Sequence, residues 1–279
     1  MIKIEKIFVA IDFKRSVNAI LSYTIWSSKI MECKNIFLFH IMEYNLTPPA
    51  YLMPYINKEK NKIKDRLKEL ADRLTVFSLD VGIEVVFGRL IESIREVIKE
   101  ENSLAIIGFK TYVTRPSTSE RILKGLKIPV LVIKGEDFLD INPERIKISK
   151  ILCPVDFSEN SLRAFSLAKD VAIRCNADLL VVHVVPEHKV KGIIEEPEQI
   201  KKYVGYLKEE AEEKLLKLDK NLKYEVLSGI PSEEVLKKIK ENDLIVVGFK
   251  GRSYAESVII GSVAESVIKN STKPILLIP

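Results

Sequence analysis

Short apolar runs alternate with amphipathic stretches along the whole chain. In the second half the runs fall at 150–156, 178–185, 223–228, 243–249 and 274–278. Their apolar residues follow one another without polar alternation, the pattern of strands buried on both faces. Between them, apolar positions recur at helical spacing over 158–175, 198–218, 231–242 and 262–271. Ser158, with Ser161 close by, suits the opening of the first of these helices, and Pro231 the first turn of the third. Ser232, Glu233 and Glu234 then lie at that helix's positive end. This alternation predicts a parallel sheet with right-handed crossovers and helices on its faces. A ligand site is expected beyond the carboxyl ends of the strands, at a topological switch point.

The pattern is written twice. Lys6–Phe13 matches Lys150–Phe157, and Ile36–Ile41 matches Leu179–Val184. Leu104–Lys110 matches Leu244–Lys250, and Pro129–Ile133 matches Pro274–Ile278. The offsets are 144, 143, 140 and 145 positions, so order and spacing survive apart from small insertions and deletions. A duplicated domain follows. We place the halves at 1–135 and 148–279, joined by a polar connector over 136–144 that carries Asn142-Pro143.

Composition narrows the class. At 279 residues and 47% hydrophobic, the chain suits two domains that each bury a core without metals or disulfides. Cys33, Cys153 and Cys175 are widely and irregularly spaced, with no CxxC pair, which points to a reducing compartment. No apolar run approaches a membrane span and the first residues do not resemble a signal peptide. The expectation is a cytoplasmic protein that makes no use of a membrane. A net charge of +5 within a 30% charged composition does not mark a nucleic-acid binder.

One constellation carries chemistry. After the strand ending at Val247 comes Gly248-Phe249-Lys250-Gly251, then nine residues, then Gly261-Ser262 opening a helix. Glycine permits close approach of backbone to ligand, and amides at a helix N-terminus favour phosphate. Lys250 and Arg252 add positive charge. Any one of these glycines is more simply a turn or a cap, but the set, following a buried strand, points to phosphate binding.

The Gly248-x2-Gly251-x9-Gly261-Ser262 spacing resembles the nucleotide-binding signature of the universal stress protein family. Cys153-Pro154-Val155-Asp156-Phe157-Ser158, His183-Val184, Gly229-Ile230-Pro231 and Lys273-Pro274 match further family features in order. The resemblance covers essentially the whole chain as two family domains in tandem. It implies two open, mostly parallel five-stranded sheets flanked by helices, a Rossmann-like nucleotide-binding fold. It also implies an ATP site (or one for ADP or AMP) in the second half. There Asp156 would lie by the ribose and base, and the Val184 backbone would read the adenine edge. Pro154 and Val155 would line that end. Gly248 would approach the ribose, while Gly251, Gly261, Ser262 and Val263 would hold phosphates. Mg²⁺ would accompany a triphosphate, through phosphate and water oxygens. Taken alone, Asp156 reads equally well as a turn or helix-capping aspartate.

The first half keeps Asp12 and His40-Ile41, but Thr111 stands where the second glycine should be, and Pro116-Ser117 stands opposite Gly261-Ser262. Proline removes an N–H and fixes φ where freedom is needed. One nucleotide per chain is therefore expected, with the first half structural. Gly88 and a helix over Glu92–Glu101 still suit the fold. His40 and His183 read as packed, hydrogen-bonded histidines. The chain has no HExxH, GxxxxGK[ST] or GxSxG motif. Cys153 reads as packing, Trp26 with Tyr44, Tyr51 and Tyr55 as core and lid, and Lys208–Lys223 as a solvated helix face. The leading function is an ATP-binding stress-response or signalling module. Slow Mg-dependent ATPase or phosphotransferase activity through Asp156, and a nucleotide-independent scaffold, are the alternatives. A homodimer, or an intrachain pseudo-dimer through the last strands of the two halves, is expected, as is a protein partner that the sequence does not name.

Overall fold

A computed structural model describes residues 3–13, 16–44, 48–98, 102–109, 126–134, 138–249 and 260–279. The chain divides into two compact units, with the boundary between Ile146 and Lys147. Residues 138–144, part of the polar connector of the sequence reading, lie with the first unit, as do 145 and 146. Asn18 Nδ2 donates to the carbonyls of Phe138 and Leu139, and the Asn142 amide donates to Ser22 Oγ. A polar segment is held here because it satisfies Asn18 and Ser22, polar groups on the first helix.

The first unit contains β1 (Lys6–Ala10), α1 (Val17–Met31), β2 (Asn35–Glu43) and α2 (Met53–Thr75). Then come β3 (Asp80–Gly88), α3 (Leu90–Val97), β4 (Ser103–Phe109) and β5 (Val130–Lys134). Its strands are parallel in the order β3-β2-β1-β4-β5. Helix α3 ends at Val97, earlier than the sequence suggests. Trp26 and Tyr23 of α1 are buried, the latter tilted against Phe138. Tyr44 packs on Phe87. Tyr51 and Tyr55, expected in a core or lid, are each 73% exposed.

The second unit repeats the plan with β6 (Lys150–Pro154), α4 (Glu159–Cys175), β7 (Asp178–Pro186) and a short α5 (Glu187–Lys191). It continues with α6 (Pro197–Leu218), β8 (Tyr224–Gly229), α7 (Pro231–Ile239), β9 (Leu244–Gly248), α8 (Ser262–Asn270) and β10 (Ile275–Ile278). Read from β8, its strand order is β8-β7-β6-β9-β10, all parallel. Ile151, Leu152, Ile245, Val246 and Ile275 are fully buried, as strands covered on both faces require. Only α5 has no counterpart in the sequence reading.

This order places a switch point between β6 and β9, where successive connections leave in opposite directions and a crevice opens. One residue widens it. The Val155 amide donates to the Val182 carbonyl on the β7 side, and the Lys150 carbonyl accepts from Asp243 on the β9 side. Backbone groups alternate sides along a strand, so residue 154 directs its amide toward β9. Pro154 has none to offer. The β6–β9 register covers Ile151↔Leu244 and Leu152↔Ile245 and stops there.

Candidate functional site

A cleft of about 640 Å³ lies at the carboxyl ends of β6, β7 and β9. Pro154, Val155, Asp156, Val184, Gly248, Gly261, Ser262 and Val263 all line it, so these sequence-predicted residues share one site. Lys250, Gly251 and Arg252, also predicted, fall outside the described residues.

The turn leaving β6 is closed by local hydrogen bonds. Phe157 takes a left-handed φ of 62°, and Ser158 caps α4 by accepting from the Ser161 amide at 3.3 Å. Asp156 Oδ1 accepts from the Ser158 amide at 3.0 Å and from Ser158 Oγ at 2.5 Å. Asp156 thus lines the cleft while its carboxylate braces the helix cap, as the turn or capping reading expected.

His183 Nδ1 meets the Val155 carbonyl at 2.7 Å and donates to it, and its ring stands 4.8 Å from that of Phe157. This matters for the neighbouring strand. The Val182 carbonyl accepts from Val155, so by alternation the amide and carbonyl of Val184 turn to the same side, beyond the last paired residue of β6. The histidine occupies the Val155 carbonyl there. Val184 therefore presents strand-type donor and acceptor groups along the cleft wall.

On the opposite side, α8 begins at the cleft floor. Its N-cap is Gly261, which has no side chain to bond the first-turn amides. The amides of Ser262, Val263 and Ala264, which have no acceptor within the helix, belong to residues lining the cleft. Helix N-termini of this kind attract anions. Gly248 is required by packing: a Cβ there would stand 2.9 Å from the Asn160 carbonyl carbon and from the Ser161 amide nitrogen. Its bare backbone lets α4 close onto β9.

The sequence reading missed the wall supplied by α5 and α6. His188, Lys189, Leu207, Glu210 and Lys214 line the cleft. Lys214 Nζ lies 2.5 Å from Glu210 Oε1 and 5.7 Å from the centre of the Phe157 ring. Part of the run read as a solvated face thus faces the site. Its i, i+4 charge spacing is common to exposed helices, so no local signal distinguished it. Cys153 is fully buried beneath the cleft, and burial drives its thiol far above the ordinary range, which keeps it protonated. Among the described residues, no group of three or more His, Cys, Asp or Glu side chains could hold a metal ion.

The family model described as the universal stress protein family matches residues 147–279. The universal stress protein MJ0531 of Methanocaldococcus jannaschii is 35% identical over 140 residues, which cover 46% of this chain and 81% of that protein.

The chain belongs to the universal stress protein family.

The universal stress protein YxiE of Bacillus subtilis, another member, is 30% identical over 148 residues, 47% of this chain and 98% of its own length. The crystal structure of a universal stress protein from Archaeoglobus fulgidus has a TM-score of 0.68 at 20% identity. It covers 98% of this chain and 97% of that one, so the family fold extends over both units. No helix among the described residues is long and apolar enough to cross a membrane.

Proposed function

We propose that the second unit binds one adenine nucleotide and that the protein acts as a nucleotide-responsive stress or signalling module. The observation that carries this reading is a single cleft with a strand edge at one end and a helix N-terminus at the other. The backbone of Val184 suits the donor–acceptor edge of adenine, with Pro154 and Val155 beside it. Asp156 suits ribose hydroxyls. The first-turn amides of α8, at Ser262 and Val263, suit phosphate oxygens, with Gly261 leaving room for them. The glycine spacing in the sequence assigns Gly251 to phosphate as well, with Lys250 and Arg252 adding positive charge. Mg²⁺ would accompany a triphosphate through phosphate and water oxygens, since the described residues offer no group of three or more metal-ligating side chains.

The module is a binder before it is a catalyst. The Asp156 carboxylate braces Ser158, and Glu210 pairs with Lys214, so neither is poised to activate water and any hydrolysis is slow. Isothermal titration of the full chain with ATP, ADP and AMP tests the proposal. One site per chain is expected, and Gly261→Val should weaken it by at least about tenfold, the equivalent of about 1.4 kcal/mol. Two equal sites per chain, or unchanged affinity in the variant, would refute it.

A further inference from the structure

The first unit carries a feature that no nucleotide site explains. Residues 49–55 read Pro-Ala-Tyr-Leu-Met-Pro-Tyr, and every one of them is exposed. Tyr51 and Tyr55 are 73% exposed, and Leu52 and Met53 are 37% and 38% exposed. An unbroken exposed apolar run of this length is a mark of an interaction surface. It lies at the start of α2, whose buried residues are Ile63, Leu67, Leu70, Ala71 and Leu74. Nothing on α2 before Ile63 is fully buried, and of its first ten residues, about 15 Å of helix, only Ile56 and Lys60 are half-buried.

Charge identifies what this segment meets. Lys58, Lys60, Lys62 and Lys64 follow the apolar run within the next turns, and Glu59 is the one acidic residue from 49 to 64. Glu59 pairs with Lys62 at 3.2 Å, leaving the segment strongly cationic. A second copy of the same tip would bring lysines against lysines, which disfavours self-association there. Single-stranded nucleic acid would stack on tyrosines but leave Ala50, Leu52, Met53 and the prolines without use. An anionic lipid surface accepts all of it: tyrosines settle at the headgroup level, Leu52 and Met53 enter the acyl boundary, and lysines meet the lipid charge. The matching approach to α6 in the second unit carries Glu195, Glu196 and Glu198 instead, which such a surface repels.

We propose that residues 49–64 form a peripheral docking site for anionic membranes. This revises the expectation that the protein makes no use of a membrane, which rested on the lack of a spanning segment; a surface contact needs none. It is independent of the nucleotide reading.

The test is co-sedimentation of the full chain with phosphatidylcholine vesicles, and with vesicles of three parts phosphatidylcholine to one part phosphatidylserine. Binding to the anionic vesicles alone is expected, weakening as salt shortens the screening length. Lys58→Glu with Lys62→Glu should reduce it at least about tenfold, since each cation near such a surface contributes several-fold. Tyr51→Ser with Tyr55→Ser should reduce it comparably without altering the circular dichroism melt. Failure to sediment with anionic vesicles overturns the proposal, as does binding by both double variants that equals that of the unaltered chain. Capture of an acidic peptide or a single-stranded oligonucleotide in place of vesicles, lost in the same variants, overturns it in favour of that partner.

Discussion

The carboxyl ends of β1 and β6 are built from the same parts and differ in what they leave open. Phe13 and Phe157 both take left-handed φ values, 54° and 62°. His40 Nδ1 donates to Ile11 O at 2.6 Å, as His183 does to Val155 O at 2.7 Å. Each phenylalanine also carries a cation from its unit's long helix, Arg66 at 4.0 Å and Lys214 at 5.7 Å. The ladders then diverge. Five residue pairs join β1 to β4, from Lys6↔Ser103 to Ala10↔Ile107, whereas β6 parts from β9 after two. Ala10 stands in the first unit where Pro154 stands in the second. The duplication kept the bonds that shape the turn and changed the backbone group that closes the switch point.

Three comparisons, the first a matched pair of substitutions, probe this contrast, and the single tryptophan, Trp26, reports unfolding of the first unit while circular dichroism follows both. The largest effect is expected at Gly248→Ala. The added carbon meets the backbone of Asn160 and Ser161, which cannot step aside, and the second unit should lose about 2–3 kcal/mol in urea unfolding. Gly108→Ala, the matching change, meets only the flexible end of Ile20 at 3.0 Å and should cost under about 1 kcal/mol. Equal costs would show that the α4 contact is not what requires the glycine.

Next is Ala10→Pro, which writes the second unit's opening into the first. The ladder loses an amide and strands a buried acceptor on β4, at a cost of about 1–3 kcal/mol. The tryptophan transition should move to lower urea. An unmoved transition would mean that the ladder length is set elsewhere.

The smallest effect concerns the opposite end of the same strand pair. Asp243 Oδ2 accepts from the Ser149 amide at 2.9 Å, Ser149 Oγ at 2.7 Å and the Lys150 amide at 3.1 Å. Ser103 holds the equivalent register in the first unit, and its buried hydroxyl has no hydrogen-bond partner among the described residues. Partial burial alone would raise the Asp243 pKa, but these bonds and the nearby Lys273 charge outweigh it and hold the carboxyl below its ordinary value of 3.8. A depressed folded pKa contributes stability that is complete above the unfolded value and is lost as pH falls through the folded one. Asp243→Asn should therefore cost about 1 kcal/mol at neutral pH, discounted for exposure, and nothing once the acid is protonated in both states. Thermal melts at pH 7 and pH 3 check it; a pH-independent difference would rule out the charge as the cause.

Much of this was legible in the residues alone. Continuous apolar runs marked buried parallel strands because a strand covered on both faces has no polar side to show. Repetition of those runs at a near-constant offset announced two like units. The cap at Ser158 and the proline opening α7 were readable because they are satisfied within a few residues. The spacing of Gly248, Gly261 and Ser262 located the cleft, since backbone approach and a bare helix start leave a mark in residue type.

Tertiary structure decided the rest, because it depends on which distant groups meet. Glu210 and Lys214 look like any exposed helical pair until α6 is laid along the cleft. Tyr51 and Tyr55 have the composition of a core and are exposed because nothing in α2 ahead of Ile63 is buried. Gly248 is demanded by the backbone of Asn160 and Ser161, residues far away in sequence. Apolar patterning records whether a side chain is buried; only the assembled fold states against what.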